Sequence, residues 1–173
     1  LFPIIMIIIK LESPGPVFFK QERSGRDNRS FTCLKFRSMY VNGLAHNKQA
    51  EKGDSRITKF GTFIRKTSID ELPQFFNVFW GDMSVVGPRP HMVNLAKEYS
   101  DLISNYLVRQ YAKPGITGWA QVNGFRGETK VLSDMENRVE YDIWYIENWS
   151  FLLDIKIIVK TIINIFKGEE NAY

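Results

Sequence analysis

The sequence predicts an α+β fold, mainly helical with one short β-hairpin, and three observations carry that expectation. Apolar residues recur at helical spacing through the C-terminal half. Two-residue alternation is confined to two short runs near the N-terminus, and Pro and Gly clusters punctuate the chain between the periodic segments. With 173 residues, 44% hydrophobic and 24% charged, the chain suits one domain with a core of its own. Lys and Arg number 23 against 19 Asp and Glu, so the net charge of +4 favours anionic partners. Cys33 alone excludes an internal disulfide, and His46 and His91 lie too far apart for a His/Cys zinc site.

Taken in order, the first segment is Leu1 to Ile9, apolar throughout apart from Pro3. Nine helical residues rise roughly 14 Å, half a hydrocarbon core, so the segment fits half of a spanning helix, one arm of a re-entrant helix, or a buried strand. The chain starts with Leu rather than Met and reads as a fragment or processed form. Ser13-Pro14-Gly15-Pro16 forms a turn. Val17 to Gln21 and Phe31 to Arg37 then read as a hairpin around the polar Ser24–Asn28 loop, with Lys35 and Arg37 on one face of the second strand. The polar stretch from Val41 to Asp54 reads as a loop.

A helix is expected over Asn94 to Gln110, stopped by Pro114-Gly115, and an irregular loop over Ile116 to Gly127. Ser133 with Glu136 has capping-box spacing and opens a helix to about Glu147. The last helix, from Phe151 to about Phe166, is amphipathic, with Phe151, Leu152, Ile155, Ile158, Val159, Ile162, Ile163 and Phe166 on its apolar face. Trp144, Tyr145 and Trp149 precede it, so a membrane-surface helix and a helix packed on the domain's own core are both open readings.

The densest chemical signal is Thr67-Ser68-Ile69-Asp70-Glu71-Leu72-Pro73-Gln74. Pro73 belongs in a first helical turn or at a break between helices, which places Asp70 and Glu71 at a helix N-terminus. On its own the doublet also fits a plain capping box made by Ser68 and Glu71. Its neighbours favour chemistry. Arg65 precedes the doublet, Arg89 is held between Pro88 and Pro90, and Lys35, Arg37 and Arg126 are further cations suited to phosphate. An ionised carboxylate can attack phosphorus, and a second can help hold a divalent cation.

Five runs resemble the bacterial sugar transferases, or monotopic phosphoglycosyl transferases: Ser13 to Arg23, Leu34 to Met39, Arg65 to Asn77, Gly81 to Pro90 and Lys113 to Gly124. Within that family, His91-Met92, Gly124 to Thr129 and Glu147 to Lys156 are most similar to undecaprenyl-phosphate glucose phosphotransferases of the colanic-acid type. The resemblance implies that Asp70 is a nucleophile that expels UMP from a UDP-sugar and carries a covalent phosphosugar. It implies that Glu71 helps place Mg²⁺, so that both acids are metal candidates. Undecaprenyl phosphate would then take the hexose phosphate, the membrane step that begins exopolysaccharide, capsule or O-antigen assembly. Lys35, Arg37, Arg65, Arg89 and Arg126 are the phosphate or nucleotide candidates, and Asp142 is a supporting residue.

The same resemblance makes residues 1–12 the outgoing arm of a re-entrant membrane helix whose incoming arm is missing, and residues 13–173 a catalytic domain. That domain would sit on the cytoplasmic face of the bacterial inner membrane, in contact with its lipids. Homo-oligomerisation stays open. One rival is a non-catalytic module that binds polyprenyl phosphate at the membrane surface, which would give the acidic doublet no task. Nucleic-acid binding is suggested by a pI near 9.1 but is not expected, because the basic residues are spread along the chain with no recognition helix.

Overall fold

The computed structural model describes residues 1–43, 50–51, 53–127, 129 and 131–167. His46 and part of the expected Val41–Asp54 loop lie outside them, as do Glu128 and the last six residues.

The first helix, α1 (Phe2–Glu12), carries Pro3 in its first turn, where the missing amide costs no hydrogen bond. Its C-terminus is closed by a side chain from far along the chain. Arg37 donates to the carbonyls of Ile9, Ser13, Pro14 and Pro16 and to Ser13 Oγ. The carbonyls of Ser13, Pro14 and Pro16, at and just beyond the helix end, are thereby given donors. Ile5 and Ile9 on the inner face of α1 meet Phe36 and Ile64 in one core cluster, while Leu1, Ile4, Ile7 and Leu11 stay exposed.

The hairpin pairs β1 (Phe18–Ser24) with β2 (Ser30–Phe36), in register from Phe18 opposite Phe36 to Ser24 opposite Ser30. The sequence did not indicate α2 (Lys59–Lys66), which starts at Thr58 with the hydroxyl accepting from Gly61 N–H. After it come a single 3₁₀ turn over Ile69–Glu71 and α3 (Gln74–Trp80). Asn77 on α3 clips onto β2 by donating to Thr32 O at 2.8 Å and accepting from Leu34 N–H at 3.0 Å.

Several expectations are corrected in the second half. A three-residue strand, β3 (Ser84–Val86), pairs in parallel with β4 (Gly115–Thr117), and α5 (Trp119–Val122) follows, so Ile116 to Gly127 is not irregular throughout. Gly87 and Gly115 permit this approach, since a Cβ on Gly115 would lie 2.1 Å from the Gly87 amide nitrogen. The helix expected over Asn94–Gln110 is shorter: α4 (Val93–Leu102) ends at Ile103, whose backbone is extended, and a 3₁₀ stretch covers Tyr106–Tyr111. The capping box of Ser133 and Glu136 does not form. The helix α6 (Leu132–Glu147) starts two residues earlier, capped at Val131, whose N–H donates to Asp134 Oδ2.

The last helix, α7 (Phe151–Lys167), presents its polar stripe to the domain. Asp154 accepts from Tyr145 and Trp149, Thr161 meets Thr117, Lys160 reaches Asn123, and Asn164 donates to Val122 O. Ile157 fills the centre of this contact with Val86, Val122 and Tyr145. The apolar face therefore points outward, with Leu152 78% and Phe166 86% exposed. Of that face only Ile158, at its edge, packs against the core cluster. On the other side of the chain, Phe75, Phe76, Phe79 and Trp80 of α3 are also exposed, and Phe76 touches Phe2 of α1. Among the described residues no helix is long and apolar enough to cross a membrane.

Candidate active site

The 3₁₀ turn that bears the two acids is forced by its flanks. Ser68 adopts a left-handed conformation (φ 56°) that ends α2, and Pro73 starts α3, leaving one tight turn in which Glu71 N–H donates to Ser68 O. Ser68 does not cap this turn through its side chain, so the capping-box reading of Ser68 and Glu71 fails. Asp70 and Glu71 are 5% and 6% exposed and share one wall of a cleft of about 640 Å³.

Their surroundings differ. Lys35 Nζ from β2 donates to Glu71 Oε1 at 2.7 Å, and Arg89 Nη2 from the Pro88–Pro90 segment donates to the same oxygen at 2.6 Å. Arg126 Nη2 stands 3.7 Å from Glu71 Oε2 and donates to Ser68 Oγ at 2.8 Å. Burial works against ionisation of Glu71, but the charges of Arg89, Lys35 and Arg126 together outweigh it and hold its carboxyl well below the usual carboxylate range. Asp70 makes no hydrogen bond or ion pair among the described residues. Burial pushes its carboxyl up to about 6, reinforced by the Glu71 charge and opposed by Lys35, Arg65 and Arg89. This differs from the simple helix-terminus expectation, in which both acids would be ionised alike.

Of the other sequence candidates, Arg65 lines the cleft with its guanidinium 3.4 Å from Ser38 Oγ. Arg37 has a different job from the phosphate contact expected of it, because its guanidinium is turned into the carbonyls at the end of α1. Asp142 accepts from Arg109 Nε at 3.0 Å and Nη2 at 2.6 Å in an ion pair only 2–3% exposed. Arg109 Nη2 also donates to Arg89 O at 2.7 Å, so Asp142 acts on the site through the backbone that carries Arg89.

Sequence reasoning missed Arg109, Arg138 and Arg23. A signal existed for one of them. Met135, Arg138, Val139, Asp142 and Tyr145 form the buried stripe of α6, so two charged residues interrupt an apolar helical repeat. Arg109, in a 3₁₀ stretch, had no such pattern around it.

No group of three or more His, Cys, Asp and Glu side chains is gathered for a metal among the described residues. Mg²⁺ usually takes only one or two carboxylates together with substrate phosphates, and the carboxyl of Asp70 fits that pattern. Glu71 fits it less well, since its oxygens already face three cations.

A cation-rich cleft built on one engaged and one unengaged carboxylate has the chemistry that suits phosphate groups. The chain matches the family described as bacterial sugar transferase over residues 1–168, and it belongs to that family. Along its full length it is 52% identical to the UDP-glucose:undecaprenyl-phosphate glucose-1-phosphate transferase of Xanthomonas campestris pv. campestris, covering 37% of that protein. The Escherichia coli (strain K12) protein of the same name is 52% identical over 96% of the chain and 36% of its own length. A UDP-N-acetylgalactosamine-undecaprenyl-phosphate N-acetylgalactosaminephosphotransferase from Aeromonas hydrophila is 48% identical over 94% of the chain and 38% of its own length. The chain thus spans little more than a third of these relatives.

Proposed function

We propose that this chain is the catalytic part of a phosphoglycosyl transferase that moves a hexose 1-phosphate from a UDP-sugar to undecaprenyl phosphate. The observation that carries this reading is the unequal treatment of two adjacent acids. Glu71 gathers Lys35, Arg89 and Arg126 on one cleft wall, and Asp70 beside it keeps an unengaged carboxyl. A nucleophile needs free lone pairs, and a diphosphate needs cations around it.

In the proposed reaction an Asp70 oxygen attacks the sugar-bearing phosphorus. The bond from that phosphorus to the bridging oxygen breaks, and UMP leaves with the electron pair. The resulting acyl phosphate is attacked by an oxygen of undecaprenyl phosphate, which restores the carboxylate and yields the diphosphate-linked sugar. One anhydride replaces another, so no further energy source is required. Mg²⁺, when bound by Asp70 and the diphosphate, would supply charge neutralisation. Lys35, Arg89 and Arg126 stand ready for the same phosphate oxygens, and Arg65 borders them.

The outward apolar faces of α1, α3 and α7 suit a site at a lipid surface, where the acceptor's chain stays in the bilayer and its charged head meets the cleft. This supports a place at the cytoplasmic face of the inner membrane and a role in starting exopolysaccharide, capsule or O-antigen assembly. It also supports α1 as one arm of a re-entrant helix. The relatives named for glucose and for N-acetylgalactosamine leave the sugar to be chosen by experiment.

The test is UMP release from a panel of UDP-sugars with undecaprenyl phosphate and Mg²⁺, together with mass spectrometry of the chain quenched without acceptor. Asp70→Asn should abolish both turnover and the phosphosugar adduct. Turnover by that variant near the wild-type rate would remove Asp70 as nucleophile, and binding without any UMP release would favour a non-catalytic module.

A further inference from the structure

Among the described residues, two buried donors in the cleft wall have no acceptor. Arg109 Nη1 lies 2.8 Å from His91 Nδ1, and because a guanidinium can only donate, Nδ1 accepts and the ring proton sits on Nε2. Nε2 is buried without a partner, and so is Arg138 Nε. Orphaned buried donors are rare in folded proteins and call for a ligand or an ion. Both residues line the cleft, and Arg138 is only 5% exposed.

Among the described residues no carboxylate forms an ion pair with Arg138 or Arg23. Arg23 borders the same wall, donating to Pro90 O and Gln21 Oε1 but to no carboxylate. Asp142 is clamped by Arg109, and Glu71 by its own three cations. Burial first, then the neighbouring Arg89 and Arg109 charges, push Arg138 down to about 10, and burial does the same to Arg23. His91 is held well below its ordinary range by burial and by Arg109 and Arg138, so its Nε2 proton is a fixed, uncharged donor near neutral pH.

We propose that Arg138, His91 and Arg23 form a second anion subsite, separate from the cations gathered on Glu71, that takes a phosphate monoester group. The subsite rests on the reaction proposed above, in which two such groups enter the cleft: the nucleoside monophosphate that leaves and the lipid phosphate that attacks. Arg89 joins the two halves of the cleft, because it binds Glu71 on one side and its charge acts on Arg138 on the other. Arg138 and His91 line the same cleft as Asp70, so a group held by Arg138 shares that cleft with the phosphorus under attack. The plain alternative is that Arg138 only anchors the loop that carries Arg126, since its Nη2 donates to Gly127 O at 3.0 Å.

The experiment compares wild type, Arg138→Met, Arg138→Lys and Arg23→Gln in the full chain. Equilibrium affinity is measured for UMP and for a short-chain, water-soluble prenyl phosphate, and melting temperature is measured without ligand. Arg138→Met should melt no lower than wild type, because an unneutralised buried charge has been removed, yet lose tenfold or more in affinity for one of the two ligands. Arg138→Lys should recover part of that loss. The Arg23→Gln variant carries the same expectation in a partly buried position, so the test does not hang on the folding of the Arg138 variants. Loss in the UMP arm assigns the subsite to the leaving nucleotide, and loss in the prenyl arm assigns it to the acceptor. Affinities within twofold of wild type for both ligands, or a lower melting temperature with both affinities intact, would overturn the proposal. Binding needs no turnover, so a chain that bound UMP but never released it from a UDP-sugar would sink the reaction and leave the subsite standing.

Discussion

Replacing Asp70 by Asn should make the fold more stable at neutral pH, and the size of the gain follows from where the carboxyl sits. Its ionisation is raised from an ordinary 3.8 to about 6 because the cleft wall strips it of water without offering a hydrogen bond. The sign is set by proton binding. Below about pH 3 the carboxyl is mostly protonated in both folded and unfolded chains, and the folded state bears little penalty. As pH rises toward 6 the unfolded chain ionises freely while the folded one resists. Above 6 the folded state carries the full cost, about 3 kcal/mol at 1.36 kcal/mol per unit.

Asn has nearly the same shape, breaks no existing contact of Asp70 and carries no charge. The variant should therefore melt roughly 5–10 °C above wild type at pH 8, using the stability-to-melting ratio of a domain this size. At pH 5 the difference should shrink to about half in free energy, and at pH 4 to about a fifth. Thermal melts of both proteins in the same detergent at the three pH values decide the matter. A variant less stable than wild type at pH 8, or a gain that does not change with pH, would refute the account of Asp70 as a destabilised, unengaged carboxylate.

Three further predictions concern its neighbours. Single-turnover UMP release should rise about tenfold per pH unit below 6 and level off above it, because in the proposed reaction Asp70 must be ionised to attack and the UDP-sugar diphosphate does not titrate there. Asp142→Asn should cost about 3–5 kcal/mol in urea unfolding by stranding the buried Arg109 charge, and should lower turnover further by loosening Arg89. Arg37→Met should cost about 2–4 kcal/mol by orphaning the carbonyls at the end of α1. The same variant, assayed where it is folded, should keep the wild-type KM for UDP-sugar. A raised KM would return Arg37 to the phosphate site.

Where the sequence was legible, one local rule had no competitor. Alternation around the Ser24–Asn28 loop gave the hairpin, and Pro73 gave the break at the acidic doublet, because both signals lie within a few residues of what they control. The strands β3 and β4 gave no such signal. Each has three residues, and they pair across about thirty intervening positions through the close approach of Gly87 and Gly115. The helix over 94–110 was overrun for a related reason. Its apolar residues continue in helical period through Ile103, but Tyr106 and Arg109 turn inward to meet His91 and Asp142, a tertiary demand that periodicity does not encode. Arg37 shows the same limit in one side chain, since its sequence neighbours cannot reveal that the end of α1 needs a donor.

The orientation of α7 shows how a correct pattern can leave its meaning open. Periodicity assigned its two faces correctly, yet the face that meets the domain is the one bearing Asp154, Lys160, Thr161 and Asn164 around Ile157. Each of those polar groups finds a named partner there, which lowers the cost of burying them. The apolar face is left outward, as it is on α1. The acidic doublet follows the same logic on a smaller scale. Asp70 and Glu71 are adjacent, equally buried and chemically alike, so their different ionisation must come from the cations each one meets. Glu71 meets three and Asp70 engages none. Charge reversal at Lys35 should therefore break a hydrogen bond at Glu71 and also push Asp70 further up, since Lys35 is the charge that most opposes that rise.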